Sequence, residues 1–473
     1  MYSKRFLENK WRVISLAGVL FSGLVFAQGP TVGVTSQYQQ SLLQKVRVKK
    51  QINVIVTPKV ALDNGVSRAA SLGLSRTKRI VDLQQKVLGR LDQSTLKRVK
   101  LFDAVAQMAL SVDEQNLQTL LQDNSISVSE DVLRKPLLSL SVPRVYPSRD
   151  LYPYHGDNEW AVAVLDSGVD KSHPFLAGTV ISEACYSDGG GQAGTTSLCP
   201  GAVTSTVATG SGVDCNSTVA GCDHGTQIAG IVAGDGSSFD GVARDAKLIS
   251  IQIYSRVDDV DFCFPNTSCI GSYTSDLIAG LQRVYDLRNS YKIAAVNISL
   301  GSGLFFGACD TQPEKPIIDL LKSVKIATVI ASGNDGSNGQ LSAPACISSA
   351  IAVGSTLDTA DVRSTFSNNG VMLDLYAPGE SITSSVPGGG YAAAQGTSSA
   401  AAHVSGAWAV MRHRQPTATV DQIQTLLKTH GPVISVSGVS RRRIDIRSVL
   451  NTLSPPPLNP ATVIPPILLL LLE

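Results

Sequence analysis

The sequence predicts an α/β protein with a mainly parallel sheet, preceded by a small α+β domain. Two observations lead there. From Trp160 onward, short apolar runs rich in β-branched residues alternate with helical stretches, the pattern of a parallel sheet covered on both faces. Before that point strands and helices are shorter, more basic and free of cysteine. With 473 residues, 43% of them hydrophobic and 16% charged, the chain is globular and has room for a targeting segment, an accessory domain and one larger domain.

The N-terminus reads as an export signal. Lys4, Arg5, Lys10 and Arg12 precede an apolar run from Val13 to Phe26, and Ala27 closes a cleavage site. The run is short for a membrane span, so residues 1–27 are expected to be removed; a retained anchor is the alternative. Secretion, to the medium, periplasm or cell surface, is the expected destination.

Residues 28–143 form the expected accessory domain. Ile52–Val56 alternates as a strand, a Lys/Arg-rich helix runs from about Ser75 to Leu96, and Ala104–Ser111 is a second strand. Asp113–Leu121 reads as a helix that Ser111 or Asp113 can cap, and Ser125–Glu130 alternates again. The segment ends near Arg134–Pro136.

The larger domain spans residues 144–450. Its expected strands are Trp160–Leu165, Leu248–Ile253, Ala294–Ile298, Ala327–Ile330 and Ile351–Val353. Its helices are Gly225–Val232, Thr274–Asp286, Ile317–Leu321 and Ser398–His413. In such folds reactive residues gather at the carboxyl ends of the strands. The Pro-rich tail, residues 451–473, carries a short apolar run around Ile464–Leu472, prolines included, too few residues to cross a bilayer. No chemistry is assigned to it, and whether it associates with membranes stays open.

Net charge is +2 but unevenly spread. Residues 28–143 carry 16 Lys/Arg against 9 Asp/Glu, and residues 144–473 carry 20 against 28. A +7 piece ahead of a −8 piece suggests two parts of one chain meeting each other, and no nucleic-acid partner is expected. Two unrelated solvated surfaces is the plainer alternative.

All eight cysteines lie between Cys185 and Cys346. An even number behind an export signal predicts disulfides, and the lack of any CxxC spacing argues against zinc. Spacing leaves 105 pairings open; sequential pairing, 185–199, 215–222, 263–269 and 309–346, is the expectation adopted.

Four motifs carry chemistry. Ala161–Asp170 puts Asp166 at the end of a buried strand, ahead of a turn glycine. Asp223–Gly230 puts His224 at a helix start, with Gly225 allowing close backbone approach. Gly396–Gly406 puts Ser398 at a helix N-terminus. Each alone has an ordinary structural reading as a cap, a core histidine or a helix start. Together they supply a hydroxyl nucleophile, a base for its proton and a carboxylate to fix the base's tautomer. Their order, Asp, His, Ser, separates them from the α/β-hydrolases, and Ser398 lacks the Gly-x-Ser-x-Gly elbow. In the fourth motif, Thr328–Gly336, a strand ends at Asn334 between glycines; beside the triad that amide can donate to an oxyanion.

On these motifs the chain resembles the subtilisin-like (subtilase) serine proteases over roughly Ser141–Arg414. The resemblance implies a subtilisin-like three-layer fold and a self-processed endopeptidase acting on proteins or peptides through an acyl-enzyme. It makes Asp166 the orienting acid, His224 the base, Ser398 the nucleophile and Asn334 the oxyanion donor. It makes Ser299, Leu300 and Gly301 one substrate-pairing edge, Gly271 and Ser272 the opposite one, and Gly333 a neighbour of the bound chain. No cofactor or catalytic metal is implied. Structural calcium is a family possibility, with Asp258, Asp259 and Asp261 as candidates against a solvated acidic loop. Residues 28–143 are similar to the inhibitory propeptide of such enzymes, which makes the chain's own propeptide a partner. Two positions depart from the family: Ser399 stands where Met is usual after the nucleophile, and Ala402 where Pro is usual before His403. Both leave the reacting groups intact and put substrate fit in question. A subtilase-fold binding protein with weak catalysis is the alternative, and esterase activity a third. The cysteine-bearing stretch Ser255–Ile270 reads as an insertion beside the substrate edge.

Overall fold

The computed structural model describes residues 37–59, 76–136, 154–188 and 194–453. The expected export signal and the tail from Ser454 onward lie outside the described residues. In the N-terminal part, α1 (Gln37–Lys49), β1 (Ile52–Pro58), α2 (Arg76–Leu88), β2 (Arg98–Leu101), β3 (Met108–Val112), α3 (Glu114–Gln122) and β4 (Ile126–Glu130) form one domain. Its four strands are antiparallel in the order β2-β3-β1-β4. Val54, Val56 and Leu110 face its own helices, whereas Ile55, Ala109 and Phe102 join a core shared with the larger domain. The sheet is therefore buried on both sides, so Ile52–Val56, expected to alternate, is apolar at every position but Asn53 and buried throughout.

Two local readings differ from expectation. The helix expected to reach Leu96 stops at Leu88, because Gly89 follows and Asp92 folds back on Ser94, its Oδ1 accepting from Ser94 N–H at 2.9 Å and Oγ–H at 2.6 Å. Residues 89–97 are turns and irregular chain, and β2 begins after them at Arg98. Residues 37–49, for which no element was expected, form α1, anchored by Leu42 and Val46 four residues apart. Asp113 caps α3, accepting from Asn116 N–H at 2.8 Å, a contact of about 1 kcal/mol.

After β5 (Leu133–Pro136) the larger domain runs through β6 (Trp160–Asp166), β7 (Val180–Tyr186), α4 (His224–Ala233), β8 (Lys247–Gln252), β9 (Cys269–Tyr273) and α5 (Thr274–Leu287). It continues with β10 (Lys292–Ile298), β11 (Leu300–Phe305), β12 (Ala327–Ala331), β13 (Ile351–Leu357), β14 (Leu375–Val386) and α6 (Thr397–Arg414). The strands β14-β13-β12-β10-β6-β8-β7 are parallel neighbours in that order, with antiparallel strands only at the margins. Alternate residues of β6 separate the two faces. Val162 and Val164 pack with α4 and α6, while Ala161, Ala163 and Leu165 pack with α5 and the helix Lys315–Ser323. This is a three-layer α/β fold with a mainly parallel sheet. All eight cysteines are paired sequentially, Cys185–Cys199, Cys215–Cys222, Cys263–Cys269 and Cys309–Cys346. Among the described residues no helix is long and apolar enough to cross a membrane.

Candidate active site

Asp166 ends β6 with no exposed surface, and its Oδ1 accepts from Ser167 N–H at 2.7 Å. His224 opens α4, also buried, with Nδ1 2.6 Å from the same Oδ1. Two features hold these elements together. Ser167 Oγ accepts from Gly225 N–H at 2.9 Å and donates to Cys222 O at 3.2 Å. Gly225 lies so close to the turn after β6 that an added Cβ would sit 2.1 Å from Gly168 O. The Cys215–Cys222 disulfide closes the loop that enters α4.

Ser398 is the second residue of α6, fully buried, its hydroxyl without a hydrogen-bond partner among the described residues. α6 is 18 residues long, so its N-terminal amides and dipole favour negative charge at that end. α4 and α6 pack against each other, and Ser384 and Ser385 of β14 bond the carbonyls of Gln227 and Thr226 in α4. His224 and Ser398 thus stand at the starts of two helices locked to one sheet.

Asn334 follows β12 in a turn with Gly333 at φ 110°. Its Oδ1 accepts from Thr397 N–H at 3.0 Å and Oγ–H at 2.8 Å, which leaves the amide NH₂ for other work. Gly333 N–H donates to Thr397 Oγ at 3.2 Å and its carbonyl accepts from Asn368 N–H at 2.9 Å, so both its backbone groups serve the turn.

β5 occupies a groove between two edges of the larger domain. It pairs antiparallel with β11, Pro136 opposite Leu300 and Lys135 opposite Gly301. On its other side Arg134 pairs with Ser272 and Leu133 with Tyr273 of β9. Gly271 registers instead with Ser255 on the strand Ser255–Val257. Ser299 sits just before β11, where its Oγ accepts from Asn297 Nδ2 at 2.9 Å and lies 3.5 Å from Ser398 O.

Asp258 bonds Arg256 at 2.8 Å, and Asp259 caps a short helix by accepting from Phe262 N–H at 3.1 Å. Among the described residues no three His, Cys, Asp or Glu side chains converge as a metal cluster.

Four residues escaped the sequence reading. Asn368, fully buried, accepts from Asp335 and Ser337 N–H at 3.0 Å each and donates to Ser332 O, shaping the turn that presents Asn334. Asn297 joins β10 to α6 by accepting from Ser405 Oγ–H at 3.0 Å. Tyr254 is fully buried, and burial together with the Asp166 charge pushes its hydroxyl well up and keeps it neutral. His403 is buried on α6 and burial lowers it to about 4, so it is a neutral core histidine. For Asn368 and Asn297 the only signal was residue type, because the partners named here lie 30 or more positions away.

The Subtilase family matches residues 157–442. Subtilisin E of Bacillus subtilis (strain 168) is 30% identical over 389 residues, covering 78% of this chain and 89% of that protein. Subtilisin J of Geobacillus stearothermophilus is 31% identical over 340 residues, 70% of this chain and 76% of that protein. The extracellular serine proteinase of Thermus sp. (strain Rt41A) is 30% identical over 360 residues, 73% of this chain and 76% of that protein.

Proposed function

The chain belongs to the subtilase family and is a serine endopeptidase, and from that premise we propose that Asp166, His224 and Ser398 are its triad and residues 28–143 its self-inhibiting propeptide. The observation that carries the triad is the 2.6 Å contact between His224 Nδ1 and Asp166 Oδ1. It commits the Nδ1 proton to the carboxylate and leaves Nε2 as the base. Nε2 takes the Ser398 proton as Oγ attacks the scissile carbonyl. The resulting oxyanion is met by the Asn334 amide and the Ser398 backbone N–H. The imidazolium then gives its proton to the departing amine, and water releases the acyl group by the same route. Such chemistry needs no cofactor.

Substrates are protein or peptide strands that take the place of β5 between Ser272 and Gly301, bound through main-chain hydrogen bonds. The pairing of β5 with both edges supports a precursor that presents its own chain for the first cut. The match to subtilisin E supports it too, because 78% of the chain is more than residues 144–473 contain. Export is supported by the basic and apolar N-terminus and the four disulfides. A fluorophosphonate probe tests the assignment: it labels Ser398, and Ser398→Ala abolishes labelling, peptide hydrolysis and self-processing. Labelling at another serine overturns it.

A further inference from the structure

β2 is the outer strand of the N-terminal sheet, and Arg98 and Lys100, two positions apart, share one face of it. That face meets the larger domain. Arg98 donates from Nε and Nη2 to Asp188 Oδ2 at 3.0 and 2.5 Å, and from Nη2 to Ser275 Oγ at 2.6 Å. Its Nη1 reaches Asp131 Oδ2 at 2.7 Å. Lys100 Nζ donates to Asp276 Oδ1 at 2.9 Å, lies 3.6 Å from Asp188, and sits over the Tyr186 ring at 6.0 Å. The Asp131 and Asp276 side chains have no exposure, Arg98 12% and Lys100 20%.

Asp276 is therefore a buried carboxylate whose charge depends on its neighbours. Burial raises it to about 6, Lys100 and Arg98 pull it down, and Asp188 adds to the rise. Its second oxygen has no hydrogen-bond partner among the described residues. The phenol of Tyr273, at the end of β9, is pushed up to about 12 by burial and offers no charge. The cations facing Asp276, Lys100 and Arg98, both come from β2.

We infer that Asp188, Ser275 and Asp276 form a second docking site on the catalytic domain, outside the cleft, that takes two basic side chains spaced i, i+2 on a strand. Its occupants are Arg98 and Lys100 of the processed N-terminal domain, and the site sets how long that domain stays bound after the cut. The cleft holds β5 by backbone pairing, which any extended peptide can imitate. The carboxylate pair asks for a particular charge pattern, and removing one partner of a desolvated pair acts mainly on dissociation.

This rests on the reading of residues 28–143 as self-inhibiting, and one time course separates the two. The full chain is allowed to mature while the cut is followed on gels and activity on a short peptide; the interval between them reads residence of the N-terminal domain. Lys100 lies in the removed segment, so Lys100→Gln yields a mature enzyme of unchanged sequence. Lys100→Gln shortens the interval about ten-fold or more. Asp276→Asn does the same, the double variant adds little, and Lys100→Arg restores most of the interval. An unchanged interval in Lys100→Gln, or single effects that multiply in the double variant, overturns the docking site alone. A Lys100→Gln chain that never matures while Lys100→Arg does also overturns it, since the cation then acts in folding. A wild-type chain that is cut and active at once overturns the self-inhibition, and the docking site with it.

Discussion

Thr397 holds the side-chain oxygen of Asn334 twice, with its N–H at 3.0 Å and its hydroxyl at 2.8 Å. The residue before the candidate nucleophile thus orients the candidate oxyanion donor. Asn334→Ala is expected to lower kcat by about 10²–10³-fold with KM little changed, the size established for such a donor in subtilisin. Thr397→Val keeps the backbone contact and loses the hydroxyl's two bonds, the one it donates to Asn334 and the one it accepts from Gly333 N–H, for a drop of about ten-fold or more. Steady-state kinetics on a peptide substrate check both; a loss confined to KM would place Asn334 in substrate binding.

Gly225 is held against Gly168 so closely that Gly225→Ala must shift the start of α4, its Cβ falling 2.1 Å from a carbonyl oxygen. Moving His224 by about 1 Å is expected to cost about 10²-fold in kcat/KM. Activity near wild type in a folded Gly225→Ala chain would show that the α4 start adjusts without disturbing His224.

His403 gives a pH dependence. Its unfolded value is near 6.5 and burial lowers the folded one to about 4, so the unfolded chain takes up the proton first as pH falls. Stability contributed by the neutral form is whole above pH 6.5 and declines between pH 6.5 and 4, by about 3 kcal/mol. Denaturant unfolding of the inactive Ser398→Ala chain from pH 7 to 4 measures the slope. His403→Gln flattens it; an unchanged slope would assign acid sensitivity elsewhere.

Thiol titration of denatured, unreduced protein is expected to find no free cysteine, since all four pairs are closed. Replacing Cys309 and Cys346 by Ser opens a loop of 37 residues, which loop-closure entropy values at about 4 kcal/mol. Unfolding midpoints read that loss.

The bond cut in maturation is expected just beyond β5, within residues 137–143, because among the described residues Pro136 is the last one paired in the groove. N-terminal sequencing of the mature form decides it. A start before Leu133 would mean that β5 is not the presented strand.

The triad candidates were legible because each sits where local sequence dictates its surroundings: Asp166 at a strand end, His224 and Ser398 at helix starts, all beside glycines. Disulfides separated by 6, 7 and 14 residues were legible for the same reason. Asn368 was not, since its work on the Asn334 turn exists only once residues 34 positions apart meet. Nor was β14, whose Pro378 and Gly379 interrupt the apolar pattern of a strand. The charge asymmetry was visible as a total, yet nothing in it singled out Arg98 and Lys100 over fourteen other basic residues in that segment.

The strand lodged between Ser272 and Gly301 is part of the chain it fills. Its local abundance is fixed by covalent connection, at an effective concentration on the order of millimolar, and does not fall on dilution. A foreign peptide at micromolar levels is outnumbered about a thousand-fold at the groove until the proposed cut severs that connection. Thereafter the contest becomes bimolecular, and dilution alone tips it toward substrate.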